Sequence, residues 1–262
     1  MMQNHIDFVR KLRPAPVGSA VSWMFGLNKR RLVQTPHGKF LLSPVSNLGY
    51  QLAHGEYEPA MTRVLHRYLK PGDVFIDLGA NEGYFTIIAS SLVGDSGSVI
   101  AIEPQSRLQH SLKATLALND CANVQLFQTL VTSSTGTARL HLAADTNTGA
   151  TSLFRVSKYP VPTEEVRSMT LRDFLRSTGI KSCDLLKVDI EGAEYEVFMS
   201  AGEVLKSGAI RKIALEIHGS ILEGRGLSGE ELHRFILSHG YILEDEAETR
   251  VYAFAGADST SK

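Results

Sequence analysis

The chain has 262 residues, 43% hydrophobic and 21% charged, enough to bury a complete α/β core as one domain with a small extension. Lys and Arg total 27 against 28 Asp and Glu, a net charge of -1, which gives no global electrostatic case for a nucleic-acid partner. Cys121 and Cys183 are too few for a disulfide framework or a cysteine-built zinc site, no apolar run approaches the roughly 18 residues of a spanning helix, and the start lacks a signal-peptide apolar core, so a cytoplasmic chain without stable membrane insertion is expected.

Residues 1–55 read as an N-terminal cap, with an amphipathic start, a proline break at Pro14 and Pro16, and short strands around 31–40 that turn at Pro36-His37-Gly38. The basic clusters Arg10-Lys11-Arg13 and Lys29-Arg30-Arg31 read as solvated faces. Pro59 opens a helix with Met61, Val64, Leu65 and Tyr68 on one face, and Pro71-Gly72 closes it. Val74, Phe75 and Ile76 then form a buried strand that stops at Asp77.

A helix over 83–92, a strand over 98–102, a helix over 105–118 carrying Leu108, Leu112 and Leu116, and a strand over 124–131 continue the alternation. Regularity fails over 132–169, where 137–142 alternates like a strand, 145–152 is polar and flexible, and Pro160 and Pro162 interrupt the chain. Such a stretch is a lid, a binding loop, or a segment with short strands of its own. Strands at 184–190 and 213–218 restore the pattern. Ser228 with Glu231 starts a helix carrying Leu232, Phe235 and Ile236 that stops at Gly240, and strands at 241–243 and 250–254 are close enough to pair. The expected architecture is an α/β, Rossmann-like doubly wound sheet of about seven strands with an antiparallel last strand, spanning 56–256 behind the cap, followed by a disordered tail at 257–262.

Gly79 and Gly83 follow the 74–78 strand, so the backbone can turn sharply and approach a ligand. A dinucleotide fingerprint would place a third glycine between them, where Asn81 stands, and Asp77 lies two positions before Gly79. That set suits a ligand with a charged amino-acid tail better than a pyrophosphate. Glu103 ends the next strand, 24 positions after Gly79, where a carboxylate holds a ribose diol.

These segments, together with Leu186-Lys187-Val188-Asp189-Ile190-Glu191-Gly192-Ala193-Glu194 and Leu215-Glu216-Ile217-His218, resemble the FkbM-type S-adenosylmethionine-dependent methyltransferases. The resemblance runs from about Gly55 to Phe254, and the Lys187–Glu194 block is its most particular part. One departure is Arg172 after Thr170-Leu171, with Asp173 one place later than the family pattern has it. The resemblance implies that S-adenosylmethionine binds with Gly79 and Gly83 giving backbone access, Asp77 and Asn81 addressing its methionine portion, Glu103 its ribose, and Glu58 a candidate for its amine. No adenine carboxylate follows the third strand; Val131-Thr132-Ser133 stands there, so backbone or hydroxyl contacts are expected.

A doubly wound sheet binds ligands beyond the carboxyl ends of its strands, which brings Asp77, Asp189 and the 216–218 segment together. His218 is the preferred general base, because its ordinary pKa lies near neutrality and the strand aims it at the cleft next to Glu216 and Asp189. The same three residues are a donor set for Mg or another divalent metal, which leaves a metal-free base and a metal-assisted site as two open readings. Glu191 and Glu194 lie three apart on the expected helix, Glu191 facing substrate and Glu194 serving as a cap.

By resemblance, the activity is O-methylation of a hydroxyl on a sugar, glycan or secondary metabolite, that is, a small-molecule or carbohydrate acceptor. A nicotinamide-dependent oxidoreductase, a non-catalytic S-adenosylmethionine-binding module and a homo-oligomeric state are kept as alternatives.

Overall fold

The computed structural model describes residues 2–12, 15–55, 57–155, 160–246 and 249–256. Arg13, Pro14 and the 257–262 tail lie outside them. In chain order the elements are α1 (Met2–Lys11), α2 (Ala15–Met24), β1 (Arg31–Thr35), β2 (Gly38–Leu42), α3 (Asn47–His54), α4 (Pro59–Tyr68), β3 (Val74–Leu78), α5 (Tyr84–Val93), β4 (Ser98–Ile102), α6 (Ser106–Leu118), β5 (Val124–Phe127), β6 (Leu130–Val131) and β7 (Gly136–His141). A 3₁₀ helix (Asp145–Ala150) follows, then β8 (Thr163–Met169), α7 (Leu171–Thr178), β9 (Leu185–Val188), α8 (Glu194–Ser200), α9 (Gly202–Lys206), β10 (Lys212–Leu215), α10 (Gly219–Glu223), α11 (Gly229–Leu237), β11 (Tyr241–Glu246) and β12 (Arg250–Phe254).

Seven strands form the central sheet in the order β11-β12-β10-β9-β3-β4-β5. Neighbours from β10 to β5 run parallel, whereas β12 is antiparallel to both β10 and β11, so the last strand alone runs against the other six, as expected. The sheet is α/β and doubly wound, with β3, β9 and β10 side by side.

Alternation along β3 distributes its side chains between two cores. Phe75 joins Phe40, Leu65, Phe85 and Ile88 on one face, while Ile76 and Leu78 join Phe174, Val188 and Val197 on the other. Phe40, Leu42 and Leu48 of the cap belong to the first of these cores, which seats the cap on the sheet.

Several expected boundaries shift. The strand expected over 124–131 divides, because Leu130 and Val131 leave the main sheet and pair with β8. β6, β8 and β7 form a separate three-stranded sheet, so the 132–169 stretch has short strands of its own, and its polar 145–152 segment is a 3₁₀ helix closed by a His141–Ser152 bridge. The strand expected over 213–218 ends at Leu215. The Glu216 N–H still donates to Val188 O, but the Gly219 N–H then donates to Ile217 O and α10 begins, so Glu216 and His218 do not share a strand face.

Candidate functional site

The site lies beyond the carboxyl ends of β3, β4, β9 and β10, where a parallel sheet opens a crevice. A cavity there reaches from Glu103 to His218. Five of its lining residues are carboxylates (Glu58, Glu103, Asp189, Glu191 and Glu216), and its one basic lining group is His218. Such a wall suits a cationic ligand and repels a pyrophosphate.

Backbone strain is concentrated in this wall. Among the described residues four non-glycine residues have positive φ, and three of them, Glu58, Asn81 and Glu191, line the cavity. Left-handed backbone at such residues is unfavourable and persists where the surroundings enforce it, often at ligand sites.

At one end, Glu103 is buried and accepts the N–H of Asn81 at 2.8 Å and that of Gln105 at 2.9 Å. Burial raises its pKa to about 6 against the opposing effect of those hydrogen bonds. Asn81 Oδ1 accepts from Thr148 Oγ1 at 2.9 Å, and Gln105 Nε2 donates to Thr148 O, which fastens the 3₁₀ helix over the Gly79 turn. Thr129, Leu130 and Val131 complete this end of the wall.

Two of the residues expected at the ligand lie behind the cavity wall. Asp77 does not line the cavity: it is buried under α5, accepts from Thr86 Oγ1 at 2.7 Å, and lies 3.2 Å from Lys187 Nζ. Asp77 and Lys187 are register partners on β3 and β9, which places both on the same face of the sheet. Lys187 Nζ also donates to Gly79 O and to Asp189 Oδ2, each at 3.3 Å. Burial opposes its charge, but Asp77, Asp189 and Glu58 outweigh burial and keep the amine protonated. Gly83 is likewise outside the cavity; its left-handed backbone at φ 86 favours glycine, and a Cβ there would also meet Leu112 Cδ1 at 2.4 Å. Gly79 does line the cavity, and a Cβ on it would fall 2.0 Å from Asp189 O, so the close approach is between two chain segments rather than to a ligand.

At the other end, Asp189, Glu216 and His218 present ligand atoms that all lie within 4.8 Å of one another. His218 Nε2 is 3.8 Å from Asp189 Oδ1, 3.6 Å from Glu191 Oε2 and 4.0 Å from Glu216 Oε1. Its Nδ1–H donates to Glu194 Oε1 at 2.6 Å.

Burial would lower the His218 pKa, but the Glu194 hydrogen bond and the charges of Glu194, Glu191 and Asp189 raise it to about 9. The expectation of an imidazole titrating near neutrality is corrected accordingly. Burial raises Glu191 and Glu216 to about 7, with the Asp189 charge adding to both.

Glu191 is not helical. It turns left-handed at φ 51, Gly192 follows at φ 93, and α8 begins only at Glu194. Glu194 is wholly buried and accepts both from His218 and from the Gly192 N–H, so it orients the imidazole while capping the turn. Sequence reasoning missed this role and that of Lys187. A charge within an apolar run was the available signal for Lys187, since Leu185-Leu186-Lys187-Val188 mirrors Phe75-Ile76-Asp77-Leu78 on the neighbouring strand.

Solved structures with a related fold include FkbM methyltransferase from Methylobacillus flagellatus KT (15% identity, TM-score 0.48), which matches over 92% of this chain and 60% of that one. Aeropyrum pernix fibrillarin with natively bound S-adenosyl-L-methionine matches over 87% of this chain and 83% of its own (14%, 0.41), and precorrin-6y C5,15-methyltransferase from Geobacter metallireducens GS-15 over 75% and 87% (15%, 0.44). This chain thus spans less than two thirds of the Methylobacillus protein. No curated protein sequence matches it. The profile of the methyltransferase FkbM domain matches residues 77–243, and the chain belongs to that family of S-adenosylmethionine-dependent methyltransferases.

Proposed function

We propose that the protein transfers the methyl group of S-adenosylmethionine to a hydroxyl of a small-molecule or carbohydrate acceptor, with the acceptor hydroxyl placed at Asp189, Glu191, Glu216 and His218. The observation that carries this reading is the cavity wall of five carboxylates with a single basic group, fitted to a ligand bearing an ammonium and a sulfonium. When bound, S-adenosylmethionine supplies an electrophilic methyl carbon, so the protein's tasks are to bind, to align and to take up a proton.

Glu103 and the Asn81 turn hold the ribose end. Glu58, half enclosed at the head of α4, faces the amine, and burial together with the Asp189 charge raises its pKa until a cation arrives. Asp189, Glu216 and His218 fit a hard divalent ion by donor type and spacing, and such an ion would lower the pKa of an acceptor hydroxyl. Glu191 is the remaining carboxylate facing His218 Nε2, and we assign it the acceptor proton.

Transfer of a labelled methyl group into a panel of sugars, polyols and phenols, with Mg²⁺ or Mn²⁺ present, tests the reading. Label in a methyl ether of the acceptor, lost in Asp189→Asn, is expected. Cofactor binding with label in no hydroxyl acceptor would overturn it.

A further inference from the structure

The cap carries a surface that the methyl-transfer site does not use. Six of the eight large hydrophobic side chains exposed among the described residues lie between Phe8 and Leu32. Trp23, Met24 and Phe25 are consecutive and 75%, 65% and 67% exposed. On α2, Val17, Ala20 and Met24 recur at helical spacing with Trp23 beside them, so the exposed side of this helix is apolar, while Gly18 and Ser22 turn inward. α1 packs beneath through Ile6 and Val9, against Val21, Val45 and Tyr50, and leaves Phe8 and Lys11 on its outer side.

Charge accompanies this apolar face. Between positions 8 and 55 the sequence has seven Lys and Arg and no Asp or Glu, within a chain whose net charge is -1. Arg30 is committed to Glu82, at 2.6 Å, whereas Lys11 and Lys29 are exposed beside the aromatic residues. Aromatic side chains ringed by basic ones are the composition that seats a protein in the headgroup layer of an anionic bilayer, the rings entering the interface and the cations meeting phosphates. Self-association through this face would bring two copies of one basic surface together, because a two-fold interface pairs each patch with itself.

We propose that the α1–α2 face docks on the surface of an anionic phospholipid bilayer, without crossing it. No helix among the described residues is long and apolar enough to span a membrane, which agrees with a surface attachment. The docked face is tied to the cavity rim: Arg10, on α1, donates to Val45 O at 2.7 Å and to Thr146 O at 3.3 Å, and Asn147 and Gly149 of the same 3₁₀ helix line the cavity.

Trp23 is the only tryptophan in the chain, so its fluorescence reports on this face alone. The full chain is titrated with vesicles of phosphatidylcholine and with vesicles that also contain phosphatidylglycerol. Expected is a shift of the emission to shorter wavelength with the anionic vesicles only, reversed by high salt. Co-sedimentation should be lost in Trp23→Ser/Phe25→Ser and weakened about tenfold or more in Lys29→Glu/Arg31→Glu. Both variants change exposed residues, and an unchanged melting temperature verifies their fold. Emission insensitive to anionic vesicles would overturn the proposal. So would a shift that follows protein concentration without lipid, which would mean a second copy covers the face, or one produced by single-stranded RNA but not by vesicles.

Discussion

Glu194 Oε1 lies 2.6 Å from His218 Nδ1, and through that contact a wholly buried carboxylate fixes which imidazole nitrogen faces the cavity. Where a histidine holds a metal, loss of the outer carboxylate that orients it commonly costs about 10- to 100-fold in metal affinity or activity. Glu194→Gln should therefore fold, retain cofactor affinity, and lose turnover by about that factor. NMR titration should find the wild-type His218 pKa raised to about 9 and that of the variant lower.

The sign of the linked stability effect follows from a raised folded-state pKa. His218 contributes stability that is fully present below its ordinary value near 6.5 and is lost as pH rises through about 9. Without added cofactor or metal, thermal stability of the wild type should thus decline between those pH values more than that of Glu194→Gln. Equal slopes for the two proteins would contradict the assignment.

Lys187→Met should be among the most destabilising single changes. It removes the cation lying 3.2 Å from buried Asp77 and 3.3 Å from Asp189, and breaking a buried pair from one side costs about 3–5 kcal/mol. Denaturant unfolding measures this directly. Removing the buried partner as well, in Asp77→Asn/Lys187→Met, should recover part of the loss, because the buried Asp77 carboxylate is then not left without its cation.

Gly79→Val should lower stability as well as cofactor binding, because the new Cβ meets Asp189 O at 2.0 Å and must displace the end of β9. Binding lost with an unchanged melting temperature would mean that a ligand, not the neighbouring strand, fills that space.

Chelation separates the two uses of the acidic cluster. If Asp189, Glu216 and His218 hold a divalent ion, excess EDTA should abolish methyl transfer, and Mg²⁺ or Mn²⁺ should restore it. Binding of the ion should also release protons in the neutral range, because the His218 ring must give one up. Full turnover in chelator would leave Glu191 and the imidazole to act without metal.

Much of the fold was legible because its parallel strands are short apolar runs bounded by turn residues, and the β3 turn and Glu103 were legible from spacing alone. The acidic end was harder to read. Ile217 continues the apolar rhythm of β10, so nothing local announces that the strand stops at Leu215 and that the chain turns at Gly219. Glu191 and Glu194 have helical spacing, yet Gly192 at φ 93 keeps the helix from starting until Glu194. The burial of Glu194 depends on a histidine 24 positions away, a pairing that only the folded chain creates.

Calorimetric titration with S-adenosylhomocysteine, comparing wild type with Glu103→Ala, tests the central assignment of the cavity most directly. Two charge-assisted hydrogen bonds from a ribose to the Glu103 carboxylate are worth a few kcal/mol together, so the variant should bind about 10²-fold more weakly. Wild-type affinity should rise as pH increases through about 6, where Glu103 ionises, and the variant should lack that rise. Equal affinity in the two proteins at neutral pH would contradict the placement of the cofactor over the ends of β3 and β4.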